Sequence, residues 1–580
     1  MRVFRQAIPS LSVRRLSFRV AGVCFLVIAG LVAGCSKKEE KAQTSQSVVG
    51  ATASGVAQVE LASELLKRVP GNAAGFFVWN GSHEAYGRLL ESPWAGSTSL
   101  GSMLEGSNER VERVKKFLSA AGLDPDDKQT WRKLFSEAVF FVTPPEGGSA
   151  EPVVGAVFRS DGIDLAEKMA AIRKELAASG EKVADVAIDG GTGFNIVVPQ
   201  EADPASAPVP PQEQQLTVLV RDGVAALASQ EGVARNVLTA EPKNLPTLVE
   251  TDDFKRAVAQ FPAQGARFAS GYLDVSKVLG ASGQLPGAPL ETLPLRAVSI
   301  ALSMTDAPQT DVRMLYREQN GEKSWIEQLV PSSSQELVSA VPTKPLLFFS
   351  VDGQALSKLK EMASAQIAAQ PDLASQLAFI DGVKRLGISA RLAPLGQSAL
   401  PIPDLLLLLE TDKPQEAQAQ LKALIAGNMK NAPMMAGNPW TEKELPDGTK
   451  VQSMITPLGF GAFLASAEGL LLAASTESQL RSALAERGKP QFVGELSKPV
   501  SSVLADQSTV GNLYINFEQV GAFLENMGGV LAMFAPQDRA AQDWLLPENI
   551  ASVKKMGLLV GSVTVEGDAI DIRSFYQVPS

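Results

Sequence analysis

The chain has 580 residues, with 53 lysines and arginines against 63 aspartates and glutamates, one histidine and two cysteines. That length suffices for two to four domains with real cores, and 45% hydrophobic with 20% charged residues excludes disorder as the main state. Two cysteines exclude a disulfide framework or a Cys-rich zinc site, and a single histidine excludes a multi-histidine metal centre.

Arg2, Arg5, Arg14, Arg15 and Arg19 make a basic start without an acid, and an apolar run follows from Val20 to Val32. About 20 apolar residues are needed to cross a bilayer as a helix, so this shorter run reads as the core of a signal peptide. It ends in Leu31-Val32-Ala33-Gly34-Cys35, followed by the polar Ser36-Lys37-Lys38-Glu39-Glu40. Small residues before a cysteine resemble the bacterial lipobox. The resemblance implies cleavage between Gly34 and Cys35, acyl chains on Cys35, and a bacterial cell-envelope lipoprotein. Ser36 resembles the sorting signal for the outer membrane, facing the periplasm. The expected organisation is a signal peptide over 1–34, then a lipidated cysteine and flexible tether over 35–58, rich in Lys, Glu, Gln, Ser and Gly. Loss of the signal removes five arginines and no acid, moving the formal charge from −10 to −15. So acidic a body is not expected to bind nucleic acid, and its membrane attachment must come through the acyl chains.

The rest of the chain repeats itself. Phe76-Phe77-Val78-Trp79-Asn80-Gly81 recurs as Phe348-Phe349-Ser350-Val351-Asp352-Gly353, each behind a Val-Pro pair (Val69-Pro70, Val341-Pro342). Gly223–Glu231 matches Gly469–Glu477, Tyr272-Leu273-Asp274-Val275 matches Tyr514-Ile515-Asn516-Phe517, and Asp311–Tyr316 matches Asp571–Tyr576. Four matches in the same order predict two homologous tandem domains, 59–330 and 335–580.

Within each half the patterns alternate. Strand-like runs include Gly75–Trp79, Ala138–Val142, Val153–Phe158, Leu216–Val220 and Val224–Ala228, and helical patterns include His83–Leu90, Glu109–Ala120, Ile163–Ala178 and Glu231–Leu238. Asp222-Gly223 and Glu468-Gly469 read as hairpin turns. The apolar window Pro457–Ser475 reads as two buried strands around the second of these turns, and the proline-rich Pro199–Gln215 as an inserted loop. The expected fold class is α+β: two tandem domains, each a largely antiparallel sheet with helices packed on one face.

This layout resembles the DUF3352-type family, duplicated α+β envelope proteins of unknown function whose repeats open with a proline and a short apolar strand. The residues that carry it are Val69–Asn80 and Val341–Asp352. The family lends no catalytic residues.

No catalytic constellation emerges. His83, in Gly81-Ser82-His83-Glu84, reads as an exposed first-turn residue of a helix that Ser82 can cap, and no Gly-x-Ser-x-Gly elbow accompanies it. Asp124-Pro125-Asp126-Asp127 lacks the glycine and glutamate of a calcium loop and reads as a turn and helix cap. Gly190-Gly191-Thr192-Gly193 lacks the Gly-Lys-Ser/Thr of a phosphate loop and reads as a hairpin turn. Met429, Met434 and Met435 near Trp440 read as packing rather than a copper site. Asp311 with Arg313, and Asp571 with Arg573, fall two apart on strands and read as surface ion pairs. The expectation is a non-enzymatic lipoprotein with no metal, no cofactor and an unknown binding site. It would bind a protein partner or assist envelope assembly; the alternative is a carrier holding an apolar ligand between the repeats.

Replacing Cys35 with Ala removes the only acyl acceptor at the cleavage site. The parent chain should incorporate labelled fatty acid in cells, and Cys35→Ala should incorporate none; labelling of the variant would refute the assignment.

Overall fold

The computed structural model describes residues 63–91, 116, 118–124, 127–144, 152–199, 213–239, 246–259, 261–262, 266–275, 277–278, 295–305, 307–316, 326–327, 329–330, 335–362, 380, 382–392, 403–430, 439–455, 461–487, 489, 491–494, 496–505, 509–534 and 546–577. The signal peptide, Cys35, Ser36, the tether, and 200–212 of the expected loop lie outside these residues. The chain divides into two compact units, one drawn from Met1–Thr305 and Val312–Gln319, the other from Asp306–Asp311 and Asn320–Ser580.

The first unit runs β1 (Gly75–Trp79), α1 (Glu84–Glu91), α2 (Lys128–Leu134), β2 (Glu137–Thr143), β3 (Val153–Arg159), α3 (Leu165–Ala178), β4 (Val183–Asp185), β5 (Gly191–Pro199), β6 (Glu213–Arg221), β7 (Val224–Ala228), α4 (Glu231–Thr239), α5 (Asp252–Val258), β8 (Arg267–Asp274), β9 (Leu295–Met304) and the end of β10 (Pro308–Tyr316), whose first residues, up to Asp311, are counted with the second unit. Its sheet has the order β4-β5-β6-β7-β3-β2-β1-β8-β9-β10.

The second unit runs α6 (Gln335–Ser339), β11 (Leu347–Asp352), α7 (Gly353–Met362), β12 (Val383–Arg391), β13 (Asp404–Thr411), α8 (Pro414–Lys430), β14 (Thr441–Glu444), β15 (Lys450–Ile455), β16 (Gly461–Ala467), β17 (Leu470–Ala474), α9 (Glu477–Glu486), α10 (Lys498–Ala505), β18 (Thr509–Asn516), α11 (Phe517–Phe534), α12 (Pro547–Lys555), β19 (Leu558–Glu566) and β20 (Ala569–Gln577). Its order, β14-β15-β16-β17-β13-β12-β11-β18-β19-β20, repeats the first strand for strand, and both sheets are antiparallel. The registers repeat as well. Phe76 sits between Phe141 and Tyr272, and Phe348 between Ser389 and Tyr514. Gly155 faces Ala228 where Leu406 faces Ala474.

Local chemistry accounts for the element ends. Asp127 accepts the Gln129 and Thr130 N–H groups at the start of α2, Asp164 those of Ala166 and Glu167 at α3, and Thr476 that of Gln479 at α9. Both acid–glycine turns take left-handed backbone at both central residues: φ is 50° and 72° at Asp222 and Gly223, and 43° and 80° at Glu468 and Gly469. That is the mirror-image turn a two-residue hairpin requires. The window Pro457–Ser475 holds β16 and β17, as its pattern predicts, and no described helix is long and apolar enough to cross a membrane.

The helices, however, lie on both faces of each sheet. Leu408 and Leu409 are neighbours on β13 and so point opposite ways. Leu408 packs with Leu337 of α6, Leu480 of α9 and Val500 of α10, whereas Leu409 packs with Ala417 and Leu421 of α8. In the first unit Phe254 of α5 meets Phe76 at 5.9 Å and Tyr272 at 5.2 Å, while Phe77 and Trp79 join Tyr86 of α1, Leu134 of α2 and Leu165 of α3. The expectation of helices on one face is corrected. Strands such as Leu405–Leu409 are apolar at both parities, and both faces need covering.

Gly353 joins β11 to α7 where a Cβ would collide with the carbonyl of Val383, whereas Gly232 on α4 has open space around it. Gly353→Ala should destabilise the unit by about 1–3 kcal/mol, and Gly232→Ala should be neutral or stabilising by up to about 1 kcal/mol. Denaturant midpoints of the two variants check both.

Candidate functional site

Apart from Asp311 and Arg573, the residues singled out in the sequence are dispersed and engaged locally. His83 stands before α1, and its Nδ1 accepts the Ala85 N–H at 3.1 Å. Ser82, expected to cap, instead donates to Asn80 at 2.9 Å. Partial burial, and then Arg88, hold the His83 pKa below its ordinary value, with Glu84 opposing. The imidazole is therefore a neutral helix cap with its acceptor nitrogen already used. Asp127 is the cap described above. Of the glycine cluster only Gly190 lies in the turn before β5; residues 191–193 belong to the strand itself. Met434 and Met435 lie outside the described residues, Met429 ends within α8, and Trp440 takes the Lys422 ammonium over its ring at 5.2 Å. Among the described residues no three His, Cys, Asp or Glu gather as metal ligands.

The Asp311/Arg313 set is not a surface pair, whereas in the second set Arg573 is exposed and Asp571 half-buried. Asp311 and Arg313 are both 8% exposed. Within the second unit Asp311 accepts Arg573 Nε at 2.7 Å and Gln309 Nε2 at 2.6 Å. Burial still pushes its carboxyl up, against these bonds.

Two features were missed, and both depend on register. The first is a charged row across the central strands. In the second unit Asp352, Arg385 and Glu410 are consecutive cross-strand partners on β11, β12 and β13. Arg385 is fully buried, with Nη2 4.0 Å from Asp352 and hydrogen-bonded to the Thr509 carbonyl. Burial lowers its pKa while Asp352 and Glu410 oppose that. Burial also raises Glu410, Glu336 of α6 adding to the effect and Arg385 and Lys384 opposing. At the corresponding rungs of the first unit Glu137 of β2 faces Arg159 of β3 as an ion pair, and Ser63 donates to Glu137. The charges are reversed. Arg385 and Asp352 are both buried, and removing one partner of such a pair costs about 3–5 kcal/mol, whereas Arg159 reaches Glu137 from an exposed position; the row is a structural constraint and not an open site.

The second feature is an apolar sheet face. Phe349, Ile388 and Leu405 are 41%, 39% and 52% exposed. Phe349 and Ile388 face each other across β11 and β12, and Ile388 faces Leu407. Half-buried Leu513 and Ile515 extend the same face onto β18. On the matching rung of the first unit Phe77 is only 8% exposed, buried in one cluster with Leu118, Ala121, Leu123 and Leu134. Exposed apolar side chains concentrated on one face mark interaction sites.

No family model, curated protein or solved structure matches this chain.

Because Glu410 holds its proton to higher pH folded than unfolded, it favours the fold below its ordinary value of 4.5 and loses that contribution as pH rises through the raised value. Glu410→Gln does not titrate. The stability of the parent minus that of the variant should therefore fall as pH rises from about 4 and then level off. Urea midpoints of both proteins across that range test this; a difference that stays flat or grows refutes it.

Proposed function

We propose that this chain is a non-enzymatic, lipid-anchored envelope protein of the outer membrane facing the periplasm, built from two homologous tandem domains. The second domain binds an apolar helix of a protein partner. Common ancestry of the domains is supported by the shared strand order and by registers that put Tyr272 and Tyr514, and Ala228 and Ala474, on equivalent rungs. The lipobox-like Leu31–Cys35 supports the anchor.

The single observation behind the binding role is the exposed patch of Phe349, Ile388 and, one same-face step along, Leu405. Its size selects the occupant. Strands about 4.8 Å apart and same-face residues about 7 Å apart give four strands by two rows, roughly 270 Å². A second copy meeting through this face alone falls well short of the roughly 800 Å² per partner of a stable interface. A helix about 10–12 Å wide fits it. In the first unit the corresponding rung is buried with apolar residues that include Leu134 of α2. An open face suits a protein partner better than an enclosed carried ligand.

The test uses the full chain with a photo-crosslinking residue at position 388, activated in native membranes. The expected product is one envelope protein crosslinked through an apolar helical segment. A peptide of that segment should bind the purified chain and bind at least tenfold more weakly to Phe349→Glu, whose urea midpoint stays near the parent's because the site is already exposed. Crosslinks only to lipid would replace this reading with the carrier, and undiminished binding by Phe349→Glu would reject this face.

A further inference from the structure

Two sheets of one topology and similar register in a single chain carry an inherent hazard. During folding, a strand of one unit can insert at the matching place in the other, the characteristic misassembly of repeated domains. The apolar positions give little protection, since hydrophobic cores tolerate exchanges of similar residues. The buried charged rows do discriminate. Natively the first unit reads Asn80, Glu137, Arg159 from β1's end through β2 to β3, and the second reads Asp352, Arg385, Glu410 over β11, β12 and β13. Asn80 follows Trp79, which faces Ala138, so it stands at the rung of Glu137.

We propose that the reversed polarity of these rows keeps the two halves from exchanging their second strands as they fold. With β2 seated between β11 and β13, Glu137 lies between Asp352 and Glu410, three carboxylates in one row. With β12 between β1 and β3, Arg385 lies beside Arg159 and its other neighbour, Asn80, is uncharged. Every wrong seating thus sets like charges side by side or strips a charge of its partner, at positions where Glu137 and Arg385 are 6% and 0% exposed. Like charges directly opposite on neighbouring strands are destabilising, and the burial of Glu137 and Arg385 strengthens the effect, while Arg159 keeps about half of its side chain in water. The native seating pairs Glu137 with Arg159 and sets Arg385 between Asp352 and Glu410. Rejecting a competitor by unfavourable contacts is a general route to specificity.

The rows can be transplanted between units rung for rung, because they occupy corresponding places in one topology. Variant A, Asn80→Asp with Glu137→Arg and Arg159→Glu, gives the first unit the row of the second. Variant B, Asp352→Asn with Arg385→Glu and Glu410→Arg, does the converse. Variant A+B restores opposite polarity with the rows exchanged. The full chain of each is unfolded in denaturant, refolded by dilution, and the protease-resistant monomer quantified by size exclusion. A and B should each lower monomer yield at least threefold, and A+B should return it to within about twofold of the parent. If each change merely damages its own unit, the losses multiply in A+B, and that outcome overturns the proposal. So does a parent-like yield for A and B. Should A or B fail to fold altogether, A+B still decides: recovery supports the proposal and failure overturns it.

Discussion

Everything in each unit hangs on the register of pairings between strands remote in sequence. Phe76 of β1 is held between Phe141 and Tyr272, and Phe348 of β11 between Ser389 and Tyr514. A slip of one residue would turn every side chain of a strand to the opposite face. Phe348, Ser350 and Asp352 would leave the side they share with Leu337 and Tyr514, and Phe349, exposed on the opposite face, would take their side. Because β1 closes against β8, and β11 against β18, only after long intervening stretches have been ordered, these contacts carry a large loop-closure entropy. Proteins dominated by such pairings fold slowly.

The same register explains the layering. Strands that are apolar at both parities must be covered on both sides, which is why α6, α9 and α10 lie over Leu408 while α8 lies under Leu409. The cover is unequal between the units. Phe77 and Phe349 occupy corresponding rungs, yet one is in a core and the other is open to solvent. An aromatic side chain left exposed forgoes much of the roughly 1.5–3 kcal/mol its burial provides, a cost expected where a surface serves recognition.

Charge enters the interior at several places among the described residues, and two of them are rows across the central strands. Glu137 with Arg159, and Arg385 with Asp352 and Glu410, lie within the sheets rather than at their margins. Such groups are weak evidence for net stability, because desolvation offsets attraction. Their consequence lies in specificity: each row accepts one arrangement of neighbours and penalises others.

What the sequence determined by itself was local or repetitive. The turns at Asp222-Gly223 and Glu468-Gly469 were legible because acid–glycine pairs suit two successive left-handed residues, and Asp127 because a carboxylate caps the N–H groups beside it. The strands around Glu468 followed from their apolar runs. The collinear matches set Tyr272 beside Tyr514 in the alignment of the halves, and each stands opposite the first phenylalanine of its Phe-Phe pair. Tertiary structure decided the rest. Ser82 or His83 as the cap is a choice made by side-chain geometry within one turn. Helices on both faces follow from how many apolar parities the assembled sheet leaves uncovered. The burial of Arg385, and the partnership of Glu137 with Arg159, depend on which residues of separate strands come opposite each other. No spacing within one strand encodes that pairing, so the charged rows and the open face around Phe349 become visible only once the strands are in register.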